Sequence, residues 1–257
     1  MKRLGTILRI SLRALRRNVL RTLLTMLGII IGVAAVIAMV SIGTGAQVMM
    51  EKQVAALGQN VVMVMSGSMN RGGVFSGLGG AATLTVADTE AIRREVEGAR
   101  YVSPEVRGTS QLAYGNLNWS TTLYGQSDEY LGLRDWPLAD GSFFTEQEVK
   151  TAARVAVLGR TVVKNLFGDA DPIGATIRIG NAPFVVIGVL SPKGSNMMGM
   201  DQDDVVVVPF TTAMRRLFGQ TNLRSVNISA ATPGSITRVV EQVTALLRDR
   251  HRIRDGA

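Results

Sequence analysis

The sequence has 257 residues, 28 of them Lys or Arg and 20 Asp or Glu, and its formal net charge is +8. Seven basic residues and no acidic residue lie among the first 21, so the other residues balance 21 basic against 20 acidic groups. This nearly neutral body excludes a protein that binds nucleic acid over its whole surface, which needs excess positive charge to neutralise phosphates. Because there is no cysteine, disulfides, thiolate catalysis and Cys-based zinc or iron–sulfur sites are also excluded.

The N-terminal basic block, residues 1–21, is predicted to form a cytoplasmic amphipathic helix. Its apolar positions recur at helical spacing and its arginines follow one residue later, which separates an apolar stripe from a cationic one. The apolar positions are Leu8, Leu12, Leu15 and Val19. Such a helix lies in the membrane interface, where anionic headgroups attract its arginines. A charge cluster that only sets the topology of the chain is the alternative.

Residues 22–43 are predicted to form a transmembrane helix. No charged residue occurs between Thr22 and Met50, and the run exceeds the ~20 residues that cross a bilayer core. Gly28 and Gly32 give the small-xxx-small spacing that lets helices approach closely. A cleaved signal peptide is the main alternative, although its apolar region usually runs only about 7–15 residues. The basic block before the span places the N-terminus in the cytoplasm and the rest outside.

The chain after the span is expected to continue as a stalk helix over residues 44–58, which Gly58 ends. A short apolar strand follows from Asn60 to Met65. The glycine-rich run Ser66–Ala82 lies next, but it lacks the Gly-Lys-Ser/Thr ending of a phosphate-binding loop. We therefore predict a mobile loop or a loose hairpin there instead of a nucleotide site.

Periodicity and turn residues predict an α+β body. The predicted elements are a helix over Thr85–Glu97 capped by Thr85 or Asp88, strands across Tyr101–Tyr130, a strand over Arg154–Leu158, a helix through Phe167, a hairpin of Ala175–Ile179 and Phe184–Leu190, a strand over Val205–Val208, a helix over Phe210–Phe218, a strand over Arg224–Ala230, and a helix from Ser235 to His251. Two strand-plus-helix units at the ends of the body predict one subdomain that is discontinuous in sequence. Its segments would be 59–105 and 209–257, with a second subdomain, 106–208, inserted between them.

Few residues of this sequence are candidates for catalysis or for binding a metal ion. The single histidine, His251, is interpreted as a solvated residue at a helix end, which leaves no Ser-His-Asp relay or multi-histidine metal site. Asp201, Asp203 and Asp204 are candidates for a hard cation, but a solvated turn is the preferred interpretation. The methionines of the run 197–200 favour a flexible or partner-contact loop over a copper site. We predict no catalytic, cofactor-binding or metal-binding residue.

The chain resembles MacB-type ABC transporter permeases, in the wider MacB and FtsX-like family. The motifs that carry the resemblance are RTLLTMLGIIIGVAAVIAMVSIGTGA (Arg21–Ala46), VLGRTVVKNLFG (Val157–Gly168), DPIGATIRIGNAPFVVIGVL (Asp171–Leu190) and DQDDVVVVPFTTAMRRLFG (Asp201–Gly219). They extend the similarity from roughly residue 5 to residue 253. The resemblance implies an inner-membrane protein with a periplasmic region of two mixed α/β subdomains.

The resemblance also implies partners and a mode of action. Such permeases are homodimers driven by an ATPase, and a periplasmic adaptor connects them to an outer-membrane channel. ATP-driven motion passes along the helices to the periplasm, for efflux of substrates such as antimicrobials, peptides or lipid-linked molecules. This chain has no Walker motif, so it is expected to be no enzyme itself and to use ATP through a separate subunit. It also lacks the family's three C-terminal membrane helices, which implies a fragment or a truncated product. A periplasmic binding or regulatory module of the FtsX or LolC kind is the alternative function.

Overall fold

The computed structural model describes residues 18–56, 60–67, 70–71, 74–75, 83–196 and 199–253. Residues 1–17 of the predicted amphipathic helix, the stop at Gly58 and most of the glycine-rich loop therefore lie outside the described residues. The chain divides into two compact units between Lys52 and Gln53. Each unit is considered by itself below.

The N-terminal unit is built on one long helix, α1, which runs from Val19 to Ala56 over 38 residues, the last four of which belong to the second unit. Its stretch Val19–Gln47 is long and apolar enough to cross a membrane. At 1.5 Å per residue these 29 residues measure roughly 43 Å, more than the ~30 Å hydrocarbon core. Thr25 and Thr44 donate their hydroxyls back to the carbonyls of Arg21 and Val40, at 2.9 Å each, so these polar groups are satisfied within the helix.

The second unit contains all the strands that the structure describes, together with six α-helices and two other helical turns. Its elements are β1 (Val61–Met65), β2 (Asn70–Arg71), β3 (Val74–Phe75), α2 (Val86–Glu95), β4 (Ala99–Tyr114), β5 (Leu117–Gln126), α3 (Tyr130–Arg134), β6 (Leu138–Gly141), α4 (Glu146–Lys150), β7 (Val155–Leu158), α5 (Arg160–Phe167), β8 (Thr176–Ile179), β9 (Ala182–Leu190), β10 (Val205–Pro209), α6 (Phe210–Thr212), a π-helix (Ala213–Phe218), β11 (Ser225–Ala230), a 3₁₀ turn (Pro233–Ser235) and α7 (Ile236–Arg250). The predicted α+β class is confirmed.

Nine strands form one mixed sheet in the order β1-β11-β4-β5-β10-β7-β9-β6, with β8 paired to β4 and β9. The pairs β10–β5 and β7–β9 are parallel, and the other pairs are antiparallel. The predicted hairpin is confirmed as β8 and β9, which turn at Gly180 and Asn181. Strands β2 and β3 pair with each other, in agreement with the loose-hairpin interpretation for those residues.

Strand β4 links two parts of this sheet. From Ala99 to Glu105 it pairs with β11, and from Val106 to Tyr114 it pairs with β5 on its other side. Helices α2 and α7 contact the part that contains β1, β11 and the start of β4. Because the sheet continues through both parts, the subdomain boundaries proposed from the sequence stay a prediction.

The core explains why some predicted strands are continuous apolar runs and others alternate. Every residue of β10 is buried, because this strand lies in the interior of the sheet between β5 and β7. In β8, by contrast, burial alternates strictly, with Ile177 and Ile179 inside. Phe184 and Ile228 are fully buried and belong to the same apolar core. One core therefore joins both parts of the sheet.

The segment after β10 differs from the single helix predicted for Phe210–Phe218. It begins as the short helix α6 and continues as a π-helix, which adds a residue to the turn. Two strand glycines allow this widened turn to lie close to the sheet. A Cβ at Gly108 would come within 2.5 Å of the Phe218 ring, and one at Gly125 within 2.6 Å of Ala213 Cβ.

Candidate functional site

The sequence predicts no reactive site, and the structure places several of its buried polar side chains in three clusters that join distant segments. The first is centred on Asp88 and includes the only histidine of the sequence, His251. The second is the loop after β9, and the third is the point where β4 exchanges β11 for β5. Each is described below from its contacts.

The prediction of a solvated His251 is wrong. The residue ends α7, as predicted, but its side chain is only 25% exposed and its Nε2 lies 3.0 Å from Asp88 Oδ2. The cause is tertiary: α7 packs against α2, so that the end of α7 meets the beginning of α2. A contact between residues 163 positions apart is invisible to helical periodicity.

Asp88 is almost fully buried and accepts hydrogen bonds from two helices. The N-cap of α2 is Thr85, and its N–H and hydroxyl donate to Asp88 Oδ2 at 3.0 and 2.8 Å while Asp88 N–H donates to the Thr85 hydroxyl. This is a capping box with Asp as its acidic member. From α7, the Nε of Arg250 donates to Asp88 Oδ1 at 2.8 Å. One carboxylate therefore caps α2 and fastens α7 to it.

The charge of Asp88 is favoured in spite of its burial. Burial alone would raise the pKa of this carboxyl, but the hydrogen bonds from Arg250 and Thr85 and the nearby His251 outweigh burial and lower the pKa. Arg250 and the end of α7 thus hold Asp88 ionised. The cluster is a structural ion pair, since Thr85, Arg250 and His251 each contact the Asp88 carboxylate.

The aspartates considered as cation ligands serve as hydrogen-bond acceptors. Asp203 accepts from the backbone N–H groups of Lys193 and Gly194 at 2.7 and 2.9 Å, and Asp201 accepts from the Thr161 hydroxyl at 2.6 Å. Asp204 accepts from the Trp119 indole at 2.8 Å. The predicted solvated turn is wrong for Asp203, which is 7% exposed because it holds the loop after β9 against the body.

The same loop contains a lysine, Lys193, whose pKa is lowered by its surroundings. Lys193 lies over the Trp136 ring, with Nζ 4.7 Å from its centroid, and donates to the Arg134 carbonyl at 3.0 Å. Burial, and then the positive charge of Arg134, lower the pKa of Lys193 to about 8. Met197 and Met198, considered as a partner-contact loop, lie outside the described residues.

Removing the Asp203 carboxylate is expected to loosen this loop. In Asp203→Ala the N–H groups of Lys193 and Gly194 lose their acceptor, which lowers the free energy of unfolding by about 2 kcal/mol. Local opening then exposes the Lys193–Gly194 bond, so trypsin should cut there roughly tenfold faster. Limited proteolysis with mass spectrometry measures this rate. Asp204→Asn is the control, since its amide oxygen still accepts from Trp119, and an equal rate in both variants would contradict the assignment.

The third cluster lies where β4 changes partner and was not predicted. Glu105 Oε2 accepts from Gln126 Nε2 at 2.9 Å and from Asn227 Nδ2 at 3.0 Å. Ser103 donates its hydroxyl to Gln126 Oε1 at 2.8 Å. These buried side chains come from β4, β5 and β11, so a single carboxylate connects both parts of the sheet. The sequence signal that could have predicted this cluster is the presence of polar residues among the apolar residues of predicted strands.

The three clusters hold elements of the folded body in position. In the described part of the chain no three His, Asp or Glu side chains are grouped to hold a metal ion. Each cluster fixes one connection: α7 to α2, the loop after β9 to β10, and β11 to β5 through β4. The arrangement connects the helices and strands of the folded body to one another through buried carboxylates.

Comparisons with known proteins agree with the sequence resemblance. The family model described as MacB-like periplasmic core domain matches residues 22–246. A macrolide export ATP-binding/permease protein MacB of Syntrophobacter fumaroxidans is 46% identical over 92% of this chain, and one of Azoarcus sp. is 42% identical over 96%. These matches cover 33% and 37% of the relatives, so the chain spans about one third of their length.

Solved structures show the same fold. The periplasmic region of MacB from Actinobacillus actinomycetemcomitans gives a TM-score of 0.65 at 23% identity, over 79% of this chain and 89% of that one. The extracellular domain of the transporter YknZ from Gram-positive bacteria gives 0.63 at 20% identity, over 77% and 97%. With the candidate membrane helix Val19–Gln47 among its described residues and a periplasmic-type body, the chain fits a membrane-anchored protein. The chain belongs to the family of the MacB-like periplasmic core domain.

Proposed function

We propose that this chain is the force-transmitting part of a MacB-like ABC transporter permease. The observation that carries the proposal is the continuity of α1, which runs unbroken from the apolar stretch Val19–Gln47 to Ala56. An uninterrupted helix transmits axial displacement because a sharp kink in it requires a break in its backbone hydrogen-bond ladder. Motion produced by a separate ATPase would therefore reach the exported body along this helix.

The body receives that motion as one connected sheet. Glu105 links β4, β5 and β11, and Asp88 links α2 to α7, so displacement of one part moves the other. Seven basic residues before the span favour an N-terminus on the cytoplasmic side of the inner membrane. The body then lies in the periplasm, where it would contact an adaptor leading to an outer-membrane channel. We propose a homodimer, non-enzymatic in itself, for efflux of antimicrobials, peptides or lipid-linked molecules.

Interrupting α1 tests this proposal. The experiment uses a chimera in which residues 22–246 of this chain replace the matching segment of the full-length Syntrophobacter relative. Macrolide resistance and ATP hydrolysis of this chimera are measured in a host without its own macrolide exporter. In Ala46→Pro, proline removes one helix hydrogen bond and clashes with the Ile42 carbonyl. Together these effects destabilise the helix by about 3 kcal/mol or more. The chimera should confer resistance, and the variant should lose it while ATP hydrolysis continues.

The matched variant Ala46→Leu keeps the helix intact and should retain resistance. Protease added to spheroplasts checks that both variants insert alike, with the body accessible from outside and the N-terminus protected. Full macrolide resistance in Ala46→Pro would contradict the proposed transmission of force along α1. Protection of the body from the protease would overturn the proposed orientation.

A further inference from the structure

A cleft of about 340 Å³ lies in the folded body beside the loop 219–224, which connects the π-helix to β11. Two arginines line it, Arg107 of β4 and Arg224 at the end of the loop, together with the polar side chains of Thr221 and Asn222. None of the described residues that line the cleft is acidic. Its volume falls within the range of about 300–1,000 Å³ that is typical of small-molecule sites.

The loop beside the cleft is fixed at both ends. At its start, Gly219 adopts a φ of 59°, which favours glycine, and Gln220 N–H donates to the Met214 carbonyl at 3.1 Å. At its end, Arg224 N–H donates to the Glu105 carbonyl of β4 at 3.0 Å. A ligand therefore does not have to order this loop, and less of its interaction energy is lost on binding.

The guanidinium groups of both arginines are accessible to a ligand. Arg107 and Arg224 are exposed, and none of the ion pairs among the described residues includes either of them. The Arg107 guanidinium lies over the Tyr124 ring, with Cζ 4.9 Å from the ring centroid. This contact positions the guanidinium through its face, so the N–H groups at its edge can still donate to a ligand.

The charges near the cleft favour an anion. The charged side chains that act on Tyr124, beneath Arg107, are one glutamate and three arginines: Glu105, Arg107, Arg134 and Arg224. Positive charges therefore exceed negative ones in this neighbourhood. Glu105 is buried, does not line the cleft, and uses its Oε2 to accept from two buried amides. An anion in the cleft would reduce the repulsion between the arginines.

We propose that this cleft binds the phosphate group of a small, soluble organic phosphate monoester. A guanidinium donates two parallel hydrogen bonds to phosphate oxygens, so Arg107 and Arg224 together suit the three terminal oxygens of a monoester. Two arginines also match its charge, which approaches −2 near neutral pH, whereas a carboxylate or a phosphodiester carries a single negative charge. The inference does not depend on force transmission, because the cleft lies entirely within the exported body.

Calorimetric titration of the full chain in detergent tests this site, with phenyl phosphate as the probe in low-salt buffer at about pH 7.5. The probe is mostly a dianion there, since the second pKa of a phosphate monoester is about 6. We expect saturable binding of one probe per chain with a Kd of roughly 1 mM or lower. The diester methyl phenyl phosphate should bind about tenfold more weakly, because it has one charge and one terminal oxygen fewer.

Two variants of the cleft test the arginines separately. Arg107→Gln and Arg224→Gln should each weaken the binding of phenyl phosphate about tenfold, because each removes a charged donor. Arg178→Gln is the matched control, since it removes an exposed arginine of β8 that does not line the cleft, and it should leave the Kd unchanged. Circular dichroism spectra of the variants establish that each is folded.

Four results would each overturn the proposal. These are no saturable binding of phenyl phosphate, equal binding of the monoester and the diester, an unchanged Kd in either cleft variant, or an equal loss in the Arg178→Gln control. A parallel titration with phosphatidate in mixed micelles tests a lipid headgroup as the source of the phosphate. Binding of this lipid without binding of phenyl phosphate would assign the cleft to a membrane lipid and contradict the soluble ligand.

Discussion

Asp88→Ala is expected to lower the free energy of unfolding by about 3 kcal/mol, the sum of a lost helix cap and a lost charge-assisted contact. The substitution removes the acceptor for the Thr85 N–H and hydroxyl at the start of α2. It also leaves Arg250 and His251 without their carboxylate. Urea unfolding of the full chain in detergent, followed by tryptophan fluorescence, measures the change.

Two further substitutions separate the roles of Asp88. Asp88→Asn keeps an oxygen for the cap but loses the negative charge, so it should lower the stability by about half as much. Glu90→Ala, on the exposed side of the same helix, should stay within about 0.5 kcal/mol. If Asp88→Ala proved no more harmful than Glu90→Ala, α2 and α7 would not be fastened by this carboxylate.

Acid should weaken the same connection, and the direction follows from the lowered pKa of Asp88. A carboxyl with a lower pKa in the folded than in the unfolded chain stabilises the fold at neutral pH. Its contribution declines below about pH 4, the ordinary Asp value, and is lost as the pH falls through the folded-state pKa. Unfolding midpoints from pH 7 to pH 2 should therefore fall less steeply in Asp88→Asn than in the unaltered chain.

Local signals in the sequence predicted the parts of the fold that depend on near neighbours. Thr85 was one of two N-cap candidates because Thr before an acidic first turn is a capping pattern, and it is the N-cap in the structure. The hairpin at Gly180 and Asn181 follows from turn chemistry between apolar runs. The apolar stretch of α1 was identified by length and composition alone.

Features that depend on distant contacts were missed or misread. The partners Asp88 and His251 are 163 positions apart, and Glu105 and Asn227 are 122 apart, so no periodicity relates them. Helices α3 and α4 have five residues each, too few to display a helical repeat, and they were not predicted. The π-helix after α6 depends on close packing against strand glycines, which sequence patterns do not encode.

Glu105→Leu is the second substitution expected to be severely destabilising, at about 3–4 kcal/mol. Leucine keeps a side chain of similar size but removes the oxygen to which Gln126 and Asn227 donate. Both amides would stay buried between β4, β5 and β11 without an acceptor, and each unmet donor costs about 1–3 kcal/mol. Urea unfolding of the full chain measures the total loss.

Glu105→Gln distinguishes a lost acceptor from a lost charge. Both amides donate to one carboxylate oxygen, Oε2, and the glutamine amide oxygen can accept in its place. None of the ion pairs among the described residues includes Glu105, so its charge has no counter-ion to lose. Glu105→Gln should therefore cost no more than about 1 kcal/mol. Equal losses in the two variants would show that the charge, not the shared acceptor, connects the two parts of the sheet. A small loss in Glu105→Leu would mean that the apolar core alone holds β11 to β5 through β4.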